Sequence, residues 1–414
     1  MLSGTPARVD VKTGAPAPLD VCETSTGEAD GVHVTRLACS GFDGASAFAS
    51  TPDATYAAIF SQSRSLLVTF PRAGAARVER LPFWAALSLS PRGDGLDAAT
   101  AYEWQSLAHG AWTPVAHLPQ GVTALAWLWE PAGPRVFARV GGTLGSAIET
   151  FRWANGAWTR VPFWPSASRA GTPPVALDAT RLGDEIFTTW VPTYDGAAGL
   201  FVARESGAPI HALASVAPRT GHASLARLPR ESWPIVAVQS GDDAVVAWPS
   251  GASYASGTIP GDDFAALARR PPARADREPA MRAGVARCSE VTDAVSSDRL
   301  FSPVVVTRSG AALLLFVRHH VERRHRWTLV PARASSFCDW LEERAIETTE
   351  VVVAALAGGP TPTARELLAI PFSARVSDFD RPRLAAALTG DALDVVVAAG
   401  SVIEHVTIDA RRLP

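Results

Sequence analysis

Hydrophobic and polar positions along this chain fall into one recurring pattern: an apolar run, a short polar turn, then a second apolar run. It is clearest at 175–190 (VALDATRLGDEIFTTW), 234–248 (PIVAVQSGDDAVVAW), 303–317 (PVVVTRSGAALLLFV) and 382–397 (PRLAAALTGDALDVVV). The runs are too short for helices and are bounded by Gly, Asp and Ser, which predicts pairs of strands joined by tight turns. Alanine, valine and leucine occupy both parities of each run, as expected of strands buried on both faces. A second element recurs between these pairs. It reads Trp112-Thr-Pro-Val, Trp158-Thr-Arg-Val-Pro and Trp327-Thr-Leu-Val-Pro, and more loosely Val78-Glu-Arg-Leu-Pro and Val406-Thr-Ile. Its apolar and polar residues alternate, which predicts an outer strand with one wet face.

The proline that closes the second element marks the phase of the repeat, at Pro82, Pro119, Pro162, near Pro218 and Pro260, and at Pro331, Pro371 and Pro414. The intervals bracket the roughly 40–50 residues of a four-stranded repeat unit. In this the chain resembles β-propellers as an architecture, over most of its length. No single subfamily is indicated: there is no GH…WD pairing, and Gly141-Gly142 and Gly358-Gly359 are isolated rather than a kelch series. The resemblance implies an all-β ring of four-stranded antiparallel blades with its usual site at the mouth of the central channel. It carries no catalytic residue across.

Counting gives eight units, two of them irregular, so seven blades are expected, with eight as the alternative. Residues 1–30 are expected to form a Pro/Gly-rich extension and 31–414 one propeller domain. The early strand GVHVTRL (31–37) is expected beside the last strands, where it closes the ring. Two insertions, 261–300 and 335–347, interrupt the pattern. In the second, Phe337, Trp340, Leu341 and Ile346 stand at helical spacing behind Ser335 and Ser336, which predicts a capped helix. The first begins Asp262-Asp263 and ends its leading segment at Arg269-Arg270 before Pro271-Pro272, which predicts a short helix followed by an arginine-rich loop.

In an up-and-down blade, chain direction reverses at each strand, so turns between second and third strands share an end with the links between blades. Reading the Gly-Asp turns as such turns puts Asp94, Asp184, Glu185, Asp242, Asp243 and Asp391 there. The links carry a repeated Arg-x-Pro-Phe-Trp that ends in Trp84 and Trp164. The candidate ligand-binding set is therefore Trp84, Trp164, Asp184, Asp242, Asp243 and Asp391, with Arg274 and Arg277 from the first insertion. Plain turn chemistry accounts equally for the Gly-Asp pairs, and packing between blades for the tryptophans. The most basic run, Arg318-His-His-Val-Glu-Arg-Arg-His-Arg326, is expected to be a solvated hairpin tip at the other end. His319 and His320 would face opposite ways on a strand, so no metal site is assigned to them.

Composition narrows the functional classes. The chain has 414 residues, is 47% hydrophobic and 19% charged, and has a net charge of −3, which leaves no electrostatic footprint for nucleic acid. No run approaches the roughly 18 apolar residues of a membrane span, and residues 1–18 lack the apolar core of a signal peptide. The four cysteines fit two local disulfides, Cys22–Cys39 and Cys288–Cys338, and with them a secreted or periplasmic protein after signal removal. Four buried thiols in a cytosolic protein fit the same count. A Cys288–Cys338 bond would staple the two insertions into one cap. There is no GxSxG, HExxH, P-loop or GxGxxG. No cofactor, metal or catalytic residue is assigned. The expected function is recognition of a peptide, protein segment or glycan at the channel mouth. The alternatives are a lyase or hydrolase built on Asp184, Asp242 and Asp391, and a structural scaffold.

Overall fold

The computed structural model describes residues 7–10, 21–29, 31–42, 44–61, 64–93, 95–141, 147–161, 176–191, 198–205, 209–216, 223–261, 280–282, 285–287, 292–331, 336–372, 374, 376 and 381–413. They form a β-propeller of seven four-stranded antiparallel blades. In sequence order blades 1 to 6 span 44–81, 88–117, 122–161, 176–216, 224–259 and 292–371. Blade 7 takes its three inner strands from 383–409 and its fourth, Val32–Cys39, from the other end of the chain. That strand pairs antiparallel with Val402–Asp409, from Val32 opposite Ile408 to Ala38 opposite Val402. Two further strands, Val21–Ala29 and Ala7–Asp10, widen this sheet to six. The first insertion contributes a small hairpin, Ala280–Arg282 with Val285–Arg287.

The blade count is decided by packing. Each interface between neighbouring blades has its own hydrophobic cluster, and there are seven of them. The period of two explains the continuous apolar runs. In blade 6, Leu313, Leu315 and Val317 face blade 7 while Ala312, Leu314 and Phe316 face blade 5. In blade 5, Val236 and Val238 face blade 4 while Ile235 and Ala237 face blade 6. In these second strands successive positions are core positions on alternate sides, so no polar alternation remains to be seen. The tryptophans of the outer strands pack between blades. Trp112 meets Phe83 edge-on at 5.2 Å, and Trp158 of blade 3 donates its indole N–H to the His117 carbonyl of blade 2 at 2.8 Å.

Blade 6 overturns two sequence expectations. Its first three strands, Thr292–Arg308, Ala311–Pro331 and Ser336–Ala357, are two to three times the length of most others. They run past the disc as a β-arm, paired from Leu300 opposite Arg318 to Thr292 opposite Arg326, and from Arg318 opposite Glu350 to Pro331 opposite Ser336. The segment 336–347 is therefore strand and not helix. The ladder skips Glu343 between Arg344 and Glu342, a bulge that breaks strict alternation before Ile346, while Ser336 to Glu342 pair in unbroken register. The basic run 318–326 is likewise mid-strand and not a hairpin tip. His319 is buried with its Nδ1 3.1 Å from the Thr349 hydroxyl, whereas half-exposed His320 lies 2.6 Å from Asp298. The two histidines do face opposite sides. This arm also accounts for the eighth unit in the count, since one blade occupies the length of two.

Candidate functional site

The four inner-to-outer strands of each blade run alternately, so the disc has a link face, where the chain passes between blades, and an opposite face. Gly-Asp turns occur on both. Asp184 sits between Ala176–Leu182 and Glu185–Val191, the first and second strands of blade 4. Asp391 sits between Arg383–Thr389 and Ala392–Ala399, the first and second strands of blade 7. Both are on the opposite face. Asp242 joins Ile235–Ser240 to Asp243–Ser250, the second and third strands of blade 5, and lies with Asp243 on the link face. The expected single ring of carboxylates is therefore split between two ends. A Gly-Asp turn has the same local chemistry whichever pair of strands it joins, so spacing alone could not tell the two cases apart.

These carboxylates have structural partners. Asp242 receives a hydrogen bond from Arg299 Nε at 3.0 Å, and Asp243 Oδ1 accepts from the Gly261 N–H at 2.7 Å. Asp391 lies 3.4 Å from Arg308, and Asp184 is fully exposed with Arg181 at 3.4 Å. Trp84 is on the link face, between blades 1 and 2. Its indole N–H donates to the Ser61 carbonyl at 2.6 Å and Phe60 meets its ring edge-on at 6.3 Å, yet 56% of the residue is exposed. It is pinned with one ring face to solvent. Trp164, Arg274, Arg277 and Cys288 lie outside the described residues. Cys22 and Cys39, directly opposite on neighbouring strands, are joined by a disulfide. Cys338 is buried and its thiol is not free.

The central channel opens at the link face as a cavity of about 510 Å³ between the inner strands of blades 1, 4, 5, 6 and 7. Its polar wall is Ser46, Thr180, Ser224, Gln239, Arg381 and Arg383. Ser302, also on the wall, holds a left-handed backbone (φ 47°), a conformation that costs a residue other than glycine roughly 1–2 kcal/mol. Two contacts hold it there: its hydroxyl donates to the Pro382 carbonyl at 2.7 Å, and its N–H to Gln239 Oε1 at 3.3 Å. Blades 5, 6 and 7 are thereby tied together at the mouth.

Arg383 begins the innermost strand of blade 7. Burial lowers its pKa below the usual guanidinium value. The side chain is nonetheless reachable by solvent. The two observations agree for a group projecting into a narrow channel, where water reaches it while protein surrounds it. Sequence reading missed Arg381 and Arg383. The available signal was an arginine beside the apolar run LAAAL of an inner strand.

A second cavity of about 560 Å³ lies where blades 7 and 1 meet, lined by Thr24, Thr35, Arg72, His405 and Thr407 among others. Its charge is already satisfied. Arg72 grips the Asp394 carboxylate with both terminal nitrogens, and His405 Nε2 lies 3.2 Å from the same group. Burial alone would raise the Asp394 pKa, but hydrogen bonds from His405 and Arg72 outweigh it and hold the carboxyl below its usual range. Although slightly smaller, the channel is the better site candidate, because its cations lack such partners.

No family model matches this chain, and no curated protein matches it. Among solved structures, it is similar to the Trypanosoma rangeli sialidase at 9% identity and a TM-score of 0.32, covering 99% of this chain and 92% of that one. It is also similar to the S. cerevisiae core factor at 8% identity and a TM-score of 0.35, covering 98% of this chain and 57% of that one. Likenesses this slight carry no argument about what the chain does.

Proposed function

We propose that the protein is a recognition module that binds its ligand in the channel mouth on the link face. The observation that carries this reading is the cavity itself: about 510 Å³, walled by inner strands and furnished with hydroxyl, amide and guanidinium groups. A concave site with a few convergent polar groups on a rigid frame is the usual form of a ligand pocket. On the same face of the disc Trp84, whose indole N–H is already satisfied, leaves part of its ring exposed. The catalytic alternative built on Asp184, Asp242 and Asp391 loses its basis, since those carboxylates lie at two ends of the disc.

The test is to fill the channel. Ala385 and Ser46 both line it and neither belongs to an interblade cluster, so a Trp at either position would occupy the cavity. Binding of a peptide and glycan array is compared between the unaltered protein and Ala385→Trp or Ser46→Trp, with thermal melts as the folding control. Hits lost in both folded variants support the reading. Hits that persist in either folded variant overturn it.

A further inference from the structure

Two arginines and no carboxylate line the described wall of the channel, in a chain whose overall charge is −3. Several partly buried arginines elsewhere are paired. Arg72, Arg135, Arg227, Arg299 and Arg318 each lie against a carboxylate. Among the described residues Arg381 and Arg383 have no such partner. The geometry of the strand explains why Arg383 in particular is left facing the channel. Leu384, Ala386 and Leu388 pack into the core shared with blade 6, so Arg383 and Ala385 take the alternate face, toward Ser46 and Phe48 of blade 1.

Arg383 reaches solvent along the channel, and no acceptor on the described wall is paired with its guanidinium to replace the hydration that an entering ligand would displace. Burial acts on Arg383 in the expected direction, lowering its pKa. The groups around it are hydroxyls and one amide. Ser302 and Gln239 are engaged with blades 5 and 7, so they are poorly placed to replace that hydration. A planar guanidinium matches a carboxylate with two parallel N–H···O bonds, the strongest pairing open to it.

We propose that the channel takes a carboxylate-bearing ligand, with Arg383 as the paired cation and Arg381 as a second positive charge at the mouth. This rests on the reading of the channel as the binding site. The cavity has room for a small molecule or a chain end of about 510 Å³ and no more. The carboxylate can belong to an acidic sugar or to a glutamyl side chain, and both present the same group to Arg383.

The experiment uses the full chain and titration calorimetry with four probes in two pairs. D-glucuronate is set against D-glucose, and acetyl-glutamyl-glycine amide against its glutaminyl counterpart. Inorganic phosphate is a fifth probe. The expected result is binding of one acidic member, about ten-fold or more tighter than its neutral counterpart, weakened by about ten-fold or more in Arg383→Gln. Which pair responds identifies the source of the carboxylate. Arg383→Lys, which keeps the charge without the fork, is expected to fall between. Ala385→Trp separates the two levels of the argument. Binding lost in Ala385→Trp but unchanged in folded Arg383→Gln overturns the carboxylate assignment and leaves the channel as the site. Acidic-probe binding that survives Ala385→Trp overturns both. Binding of phosphate alone, or of neither acidic probe at millimolar concentration, overturns the carboxylate assignment.

Discussion

Arg72 of blade 1 and Asp394 of blade 7, 322 positions apart in sequence, form a two-pronged ion pair across the seam where the ring closes. The carboxylate side chain is 1% exposed and that of the arginine 24%. His405 completes the group, its ring tilted by 33° against Phe70 with centroids 5.0 Å apart.

Removing the cation alone leaves a buried carboxylate with only His405 and Thr407 for partners. Arg72→Met is expected to lower unfolding free energy by about 3–5 kcal/mol, read by denaturant titration. Arg72→Met combined with Asp394→Leu should recover much of that loss, because both charges are then gone. Since the folded carboxyl titrates below its usual value near 3.8, the unfolded chain takes up the proton first. The stabilisation from this group is full above that pH and is lost as pH falls through the lowered value. A variant without Asp394 should show a shallower acid limb.

His319 predicts a second pH effect, at the base of the arm. Burial pushes its pKa below 6.5, with Arg299 and His320 acting in the same direction and Glu347 and Asp298 opposing. The unfolded chain therefore binds this proton first, and stability declines as pH falls below about 6.5, having been at its full value above it. Stability measured from about pH 8 to pH 5 should fall in the unaltered protein. The fall should be smaller in His319→Gln, which keeps a hydrogen-bonding group toward Thr349. Equal slopes in the two proteins would remove His319 as the cause.

The closing strand carries a covalent link as well. Cys22 and Cys39, 17 apart in sequence, are both in the cluster between blades 7 and 1. Replacing both by Ser is expected to cost about 3 kcal/mol on the loop-entropy account, seen as a lower melting temperature. Intact mass before and after reduction, with peptide mapping, should return this bond and a second one between Cys288 and Cys338. Recovery of Cys288 as a free thiol would dissolve the idea that the arm and the first insertion are stapled into a cap.

Trp84→Ala tests whether the pinned indole serves the fold or the rim. It gives up one hydrogen bond and one edge contact, about 1–2 kcal/mol, so the variant should fold. If the rim takes part in recognition, array hits weaken in this folded variant. Unchanged hits would assign Trp84 to packing against Phe60 alone.

How much of this was legible can be argued residue by residue. The hairpin at 303–317 and the closing strand at 31–37 announce themselves, because turn residues and apolar runs are local signals. The propeller and its ring closure follow from them. Asp184 and Asp242 look alike in sequence and lie on different faces, since a tight turn does not record which strands it joins. Trp340 looked helical because Phe337 and Leu341 stand three and one positions from it, a spacing that a strand accommodates as well. Arg383 offered only one weak signal, an arginine beside an apolar run. Its interest comes from what surrounds it on the channel wall, and those neighbours come from four other blades.

His33 pairs with Thr407, 374 positions later. On a ribosome adding roughly 5–20 residues per second, the first of these strands waits about 20–75 s for its partner. During that interval six blades can stack while the seventh has only its outer strand, and the hydrophobic flank of blade 1 at Ile59, Leu66 and Val68 lacks its cover from Val396, Ala398 and Ile403. The protein's period of greatest exposure to aggregation therefore falls during its own synthesis, and it ends only when the two distant segments meet.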